Sequence, residues 1–225
     1  MKIENVGAVI WDLDGTIIES FSVVEKILQE ITAEQGRPIP THEEILLNYH
    51  GTLEDTIQGV LDITSGDELD AVVTNFLNKE QHYYEGDASV HLFVDAIDLA
   101  HKLTDRGAKQ LLVTNRTHND TGNVSPRAIV ATTVLADYIK DIRCSDEVEY
   151  RKPDKRVAQD WVEDNSIDPT SLLVIGDQFV DAQLATNLGC RAILVLRGSK
   201  NIPHLDSIER NHVLLVDNLH EVELV

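Results

Sequence analysis

Basic residues are scarce in this chain of 225 residues: 19 Lys and Arg stand against 39 Asp and Glu, a formal net charge of −20. With no dense basic stretch to neutralise backbone phosphates, neither nucleic acid nor an anionic membrane is expected as a partner. A small phosphorylated metabolite is still allowed, because a bound divalent cation and one or two local basic groups reverse the field where it matters. Only two cysteines occur, Cys144 and Cys190, far apart and each in a short apolar run. That spacing argues against a disulfide framework and for reduced core or strand residues. No apolar run approaches membrane-spanning length, and Lys2, Glu4 and Asn5 precede an apolar run too short for a signal peptide, so the cytoplasm is the expected location. Internal repeats and low-complexity tracts are missing as well. What is present, 42% apolar and 26% charged residues, is ordinary globular composition, enough for one good core plus a small appended module.

Val6 to Trp11 is a short apolar run that stops at Asp-Leu-Asp-Gly-Thr, which reads as a buried strand with two aspartates at its carboxyl end. In an open α/β sheet, ligands bind at that end. Helical patterns follow over Ser20–Gln35, from Thr41 to about Tyr49, over Thr52–Val60, and from Ser65 or Asp67 to about Tyr84. Thr41, with Glu44 three residues on, is placed to cap the second. Residues 18–88 therefore read as an all-helical insert, and 1–17 with 89–225 as the remainder. From Val90 the pattern alternates. Helices are expected over Val90–Leu103, Pro126–Tyr138, Asp154–Asn165 and Phe179–Leu188. Strands are expected over Gln110–Val113, Ile142–Cys144, Leu172–Ile175, Ala192–Leu196 and Val213–Val216. Strands separated by helices of this length argue for an α/β fold, a mostly parallel sheet covered on both faces.

The polar residues gather at strand ends. Asp12 and Asp14 project the same way if the strand runs through them, and two adjacent carboxylates need a cation or a proton. Mg2+ suits such a pair, since it takes oxygen ligands and is commonly held by one or two carboxylates plus substrate phosphate. A calcium loop does not fit: counted from Asp12, glycine falls at position 4 rather than 6. Thr114 and Asn115 close the second strand with a hydroxyl and amides able to hold phosphate oxygens. Lys152 precedes Pro153, a residue suited to a helix start. Asp177 and Asp181 are four apart, on one side of a helix's first turn, where acids also serve as caps. Jointly these residues specify phosphoryl transfer: an aspartate that attacks, a metal and a lysine that absorb negative charge, and a second acid for the proton.

Asp12-Leu13-Asp14-Gly15-Thr16, Thr114-Asn115, Lys152-Pro153 and Gly176-Asp177-x-x-x-Asp181 stand in the order of the four motifs of the haloacid dehalogenase-like hydrolase superfamily, which the chain resembles from Val6 to about Val216. The insert resembles the α-helical cap of its phosphatase branch, as in phosphoglycolate phosphatase, sugar-phosphate phosphatases and β-phosphoglucomutase. The resemblance implies a Rossmann-like parallel-sheet core with an inserted all-helical cap domain. It implies Asp12 as nucleophile and Mg2+ ligand, and Asp14 as general acid and base whose carbonyl also binds the metal. It further implies Thr114 and Lys152 on the phosphoryl group, with Asp177 completing the metal shell and Asp181 supporting it. Gly86-Asp87-Ala88 stands where relatives often carry a proline-glycine hinge.

Between Thr16 and Val90 there are 15 acids and three basic residues, a segment poorly suited to gripping a second phosphate. The loop around His50 and Thr52 is similar in position to the family's specificity loop, and Arg116 and His118 follow the second motif. These four are the expected selectivity residues. The expected activity is hydrolysis of a small phosphomonoester, such as a sugar or polyol phosphate, by a monomer or weak homodimer. A phosphosugar mutase and a non-catalytic binding protein that retains the fold stay open as alternatives.

Overall fold

The structure, a computed structural model, describes residues 1–49, 52–64, 66–85, 90–116, 125–198, 202 and 212–225. The chain enters through β1 (Lys2–Ile3) and then β2 (Ala8–Trp11), all four of whose residues are buried. Past the Asp-Leu-Asp-Gly-Thr turn come β3 (Ile18–Glu19) and four helices in succession: α1 (Phe21–Glu34), α2 (His42–Asn48), α3 (Leu53–Leu61) and α4 (Gly66–Glu85). The return runs through β4 (His91–Leu92), α5 (Val94–Asp105), β5 (Lys109–Val113), α6 (Pro126–Thr132) and α7 (Leu135–Tyr138). Then follow β6 (Asp141–Arg143), α8 (Arg156–Asp164), β7 (Leu172–Gly176), α9 (Phe179–Leu188), β8 (Arg191–Val195), β9 (Val213–Val216) and β10 (Glu223–Leu224).

Six strands form one parallel sheet in the order β6-β5-β2-β7-β8-β9. From β2 the chain steps outward to β5 and β6, then returns to the other side of β2 and steps outward again through β7, β8 and β9. The reversal opens a crevice beyond the carboxyl ends of β2 and β7, where an open α/β sheet binds its ligand. Alternating side chains feed two cores. Val9, Trp11, Leu112, Leu173, Ile175, Ile193 and Val195 pack with α5 and α6 on one face. Ala8, Ile10, Leu111, Val113, Leu172, Val174, Ala192 and Leu194 pack with α8 and α9 on the other. Burial on both faces explains why β2, β7 and β8 are near-continuous apolar runs. Trp11 donates its indole N–H to Gln110 Oε1 at 2.8 Å, and Gln110 Nε2 donates to Ala100 O and Thr104 Oγ1, so these two side chains are paired inside the core.

Helices α1–α4 have a hydrophobic cluster of their own, built on Ile27, Leu28, Ile31, Ile45, Ile57 and Phe76. Two of them start at capping boxes, Thr41 with Glu44 and Thr52 with Asp55, the first at the expected residues. Among the described residues, no helix is long and apolar enough to cross a membrane. Cys144 and Cys190 are free and buried, and burial pushes both thiols up to about 12.

Several expectations need correction. The segment taken as strand-free begins with β3, which pairs antiparallel with β4 through Ile18↔Leu92 and Glu19↔His91. The helix expected from Val90 consequently starts at Val94, and the Phe93 amide donates to Ile17 O at 2.8 Å. The single helix expected over Pro126–Tyr138 is two, because Thr133 is extended and its hydroxyl, which donates to Ile129 O at 2.7 Å, also accepts the Leu135 amide. Pro153 does not open a helix; α8 starts at Arg156. The parallel pair of β1 with β10 was not expected, since two-residue strands are too short to leave a periodic pattern.

Candidate active site

Strand β2 ends at Trp11, but the Asp12 amide still donates to Ile175 O at 2.8 Å, which holds Asp12 at the switch point with 7% of its surface exposed. The chain then turns at Gly15, whose φ of +73° suits glycine. A Cβ there would lie 2.2 Å from Asp177 Oδ2, so the bare Cα is what lets the β7 aspartate approach the β2 loop. Gly176 does the same for Asp181, whose Cγ would lie 2.2 Å from an added Cβ.

These approaches gather Asp12, Asp177 and Asp181, with one carboxylate oxygen of each within 4.8 Å of the others. Lys152 is buried among them. Its Nζ contacts Asp12 Oδ1 and donates to Asp181 Oδ1 at 2.8 Å. Asp181 also closes the first turn of α9, where its Oδ2 accepts the Gln178 amide at 3.1 Å, so it is both a cap and a member of the cluster. Thr16 Oγ1 lies 3.3 Å from Asp12 Oδ2 and 3.5 Å from Asp177 Oδ1.

Charge in the cluster is unbalanced. Burial raises Asp12 to about 7 despite Lys152, with Asp181 and Asp14 adding to the rise. Burial, then Asp12 and Asp181, push Asp177 well above the usual carboxylate range. Burial opposes the charge on Lys152, yet Asp12 and Asp181 hold it above an ordinary lysine. Three carboxylates against one ammonium leave an excess that a divalent cation cancels, and an all-oxygen donor set of this kind fits Mg2+.

Asp14 lies apart from the cluster. Arg116 grips it bidentately, Nε to Oδ2 at 2.9 Å and Nη2 to Oδ1 at 2.8 Å. Burial would raise the Asp14 carboxyl, but the guanidinium overrides it and holds it below its ordinary value. Arg116 also reaches across to the insert, where Glu80 Oε1 of α4 lies 3.0 Å from Nη2. Thr114 is buried beside Lys152 and Arg116 in the lining of one cavity, and its hydroxyl accepts the Arg116 amide at 3.1 Å. Asn115 Oδ1 is buried and without a hydrogen-bond partner among the described residues. The cavity, ≈ 240 Å³ and open to solvent on one side, is lined by Asp12, Asp14, Thr114, Asn115, Arg116, Lys152 and Asp181 from the sheet side and by Tyr49, Thr52, Phe76 and Glu80 from the insert.

The structure thus brings Asp12, Asp14, Lys152, Thr114, Asn115, Asp177, Asp181, Thr52 and Arg116 to one crevice. Thr52 lines it, but its hydroxyl is engaged with Asp55 as the cap of α3. His50, His118 and the segment 86–88 lie outside the described residues. Sequence reasoning missed Glu80, one acid among the many of the insert. It also missed Arg197, which follows the end of β8 and donates to Thr16 O at 2.7 Å, holding the loop that carries Asp12 and Asp14. The Arg197 position on the carboxyl rim was a usable signal.

Fold and site together define a class: a Rossmann-like α/β enzyme core whose switch point carries buried carboxylates and a lysine, with a helical insert after the first strand of the switch. The haloacid dehalogenase-like hydrolase family model matches residues 9–195, and the chain belongs to that family. It is 27% identical over 196 residues to a phosphoglycolate phosphatase of Thiobacillus denitrificans, covering 86% of this chain and 84% of the relative. It is 25% identical over 211 residues to the pyrophosphatase PpaX of Anoxybacillus flavithermus, covering 93% of each. Among solved structures, CbbY from Rhodobacter sphaeroides in complex with phosphate superposes with a TM-score of 0.71 at 17% identity, covering 96% of each chain.

Proposed function

We propose that the chain is a Mg2+-dependent phosphomonoesterase that works through an aspartyl-phosphate on Asp12 and acts on a small phosphorylated metabolite. The observation that carries this reading is the buried contact of Lys152 with Asp12 beside a cation-sized acidic cluster. The Asp12 carboxylate attacks phosphorus, and the leaving oxygen takes a proton from Asp14. Water then attacks the same phosphorus and gives its proton to Asp14, which releases phosphate and restores Asp12. Lys152, Thr114 and Asn115 hold the phosphoryl oxygens. Asp12, Asp177 and Asp181, with the Asp14 carbonyl, would hold Mg2+, which when bound supplies Lewis-acid neutralisation of the transferring group. Arg116 keeps Asp14 ionised, as the water step requires, and has to slacken its grip for the acid step.

The four-helix insert serves as the cap that closes over the leaving group and excludes water. The relatives' names support a phosphatase, and every residue assigned comes from one chain, so a monomer or weak homodimer suffices. The phosphoglycolate and pyrophosphate of those names both carry a second anionic group, whereas the acidic insert here favours a sugar or polyol phosphate. The test is hydrolysis of p-nitrophenyl phosphate with Mg2+ and with EDTA. Turnover is expected only with the metal, and Asp12→Asn is expected to lower kcat by more than about 10³-fold. Metal-independent turnover, or a variant as fast as the wild type, would falsify the reading.

A further inference from the structure

We infer that Glu80 determines specificity: it engages Arg116 on the leaving-group side, so that the enzyme accepts monophosphates of neutral or cationic hydroxyl compounds and rejects leaving groups bearing a carboxylate or second phosphate. The inference rests on the phosphatase reading above and concerns which ester the same site takes.

Glu80 is 3% exposed, on the face of α4 that also presents Val73, Phe76 and Leu77 to the cavity. A carboxylate among apolar side chains is costly unless it is paired, and Glu80 meets Arg116 at 3.0 Å. The same guanidinium already spans both oxygens of Asp14. Among the described residues lining this side of the cavity, Asp14, Glu80 and the more exposed Glu54 stand against Arg116, a net charge of −2. An incoming carboxylate either competes with Glu80 for Arg116, giving up a buried ion pair, or faces like charge directly, and both raise its free energy. Hydroxyl groups meet the opposite situation: Glu80 accepts hydrogen bonds, and the buried Asn115 Oδ1 lacks a donor among the described residues. Lys152 does not relieve the effect, because it is committed to Asp12 and Asp181 at the phosphoryl end.

The experiment compares kcat/KM for glycerol phosphate, phosphoethanolamine and phosphoglycolate with Mg2+ present, each relative to p-nitrophenyl phosphate, in the wild type and in Glu80→Gln. The wild type is expected to prefer glycerol phosphate over phosphoglycolate by about tenfold or more, ~1.4 kcal/mol. Glu80→Gln keeps the shape and removes the charge, and is expected to narrow that preference by about tenfold through a gain on phosphoglycolate. Wild-type preference for phosphoglycolate, or an unchanged ratio in a variant with an intact melting transition, overturns the inference while leaving the phosphatase reading standing. If Glu80→Gln does not fold, the wild-type preference alone decides. Failure to turn over any ester, p-nitrophenyl phosphate included, overturns the phosphatase reading and this inference with it.

Discussion

Asp95 shows how one carboxylate away from the reacting atoms can hold a site together. Its Oδ2 accepts from Arg197 Nη1 at 2.6 Å and from the Leu219 amide at 2.6 Å, and its Oδ1 accepts the Ala96 amide. Arg197 in turn packs its guanidinium 3.7 Å from the centre of the Phe93 ring and holds Thr16 O. The start of α5, Leu219 and the loop carrying Asp12 are therefore tied together through the Asp95–Arg197 pair. Burial disfavours the Asp95 charge, but Arg197 and the two amides outweigh it and keep the carboxyl below its ordinary value. A carboxyl depressed by folding stabilises the native state above its unfolded pKa, about 3.9, and that contribution fades as pH falls through the folded value. Asp95→Asn is accordingly expected to cost about 1.5–3 kcal/mol at pH 7. The gap to wild type should close as both are melted at successively lower pH below about 4. A gap independent of pH would mean that the Asp95 charge contributes nothing.

At the scale of elements, what the sequence declares is whatever local pattern dictates. Ala8–Trp11, Leu172–Gly176 and the last three residues of Lys109–Val113 are apolar runs stopped by polar turns, and the two buried faces of the sheet make their strands legible. Thr41 and Glu44 are three apart, and their capping box lies where that spacing puts it. β3 and β4 were illegible because each is defined by the other across the whole helical insert, and two residues carry no period. The break at Thr133 comes with its extended backbone and with its hydroxyl accepting the Leu135 amide, neither of which helical periodicity registers. The glycines mark the junction between element and site: Gly176 ends β7, and a side chain there meets Asp181. Gly176→Ala is expected to push Asp181 off Lys152 and to lower turnover by about tenfold or more, roughly the cost of one charge-assisted hydrogen bond, 1.5–3 kcal/mol. Comparing p-nitrophenyl phosphate kinetics with the melting temperature tests this, and an equal loss in both would assign Gly176 to the fold alone.

For the molecule as a whole, the candidate site was legible where it lies along the chain and illegible where it lies across it. Asp12, Thr114 and Asp177 directly follow strand ends, so their convergence is a consequence of sheet order, and Lys152 joins them from the loop between β6 and α8. Glu80 reaches Arg116 only because the insert folds back over the crevice, and no spacing in the chain announces that. The consequence is thermodynamic. A chain of net charge −20 buries Asp12 and Asp181 and half-buries Asp177, with Lys152 as their cation, so the metal-free fold carries repulsion for the sake of the site. Two opposite effects on stability follow. Saturating Mg2+ at about 100 times its Kd should add about 2.7 kcal/mol, which for a chain of this size raises Tm by roughly 5–10 °C. Asp177→Asn should abolish that rise and yet melt above the metal-free wild type, because it removes a half-buried charge that folding disfavours. Sodium chloride at matched ionic strength is the control, since screening alone stabilises so acidic a chain. A Mg2+ shift no larger than that of the sodium control, or one retained in full by Asp177→Asn, would locate the cation away from this cluster.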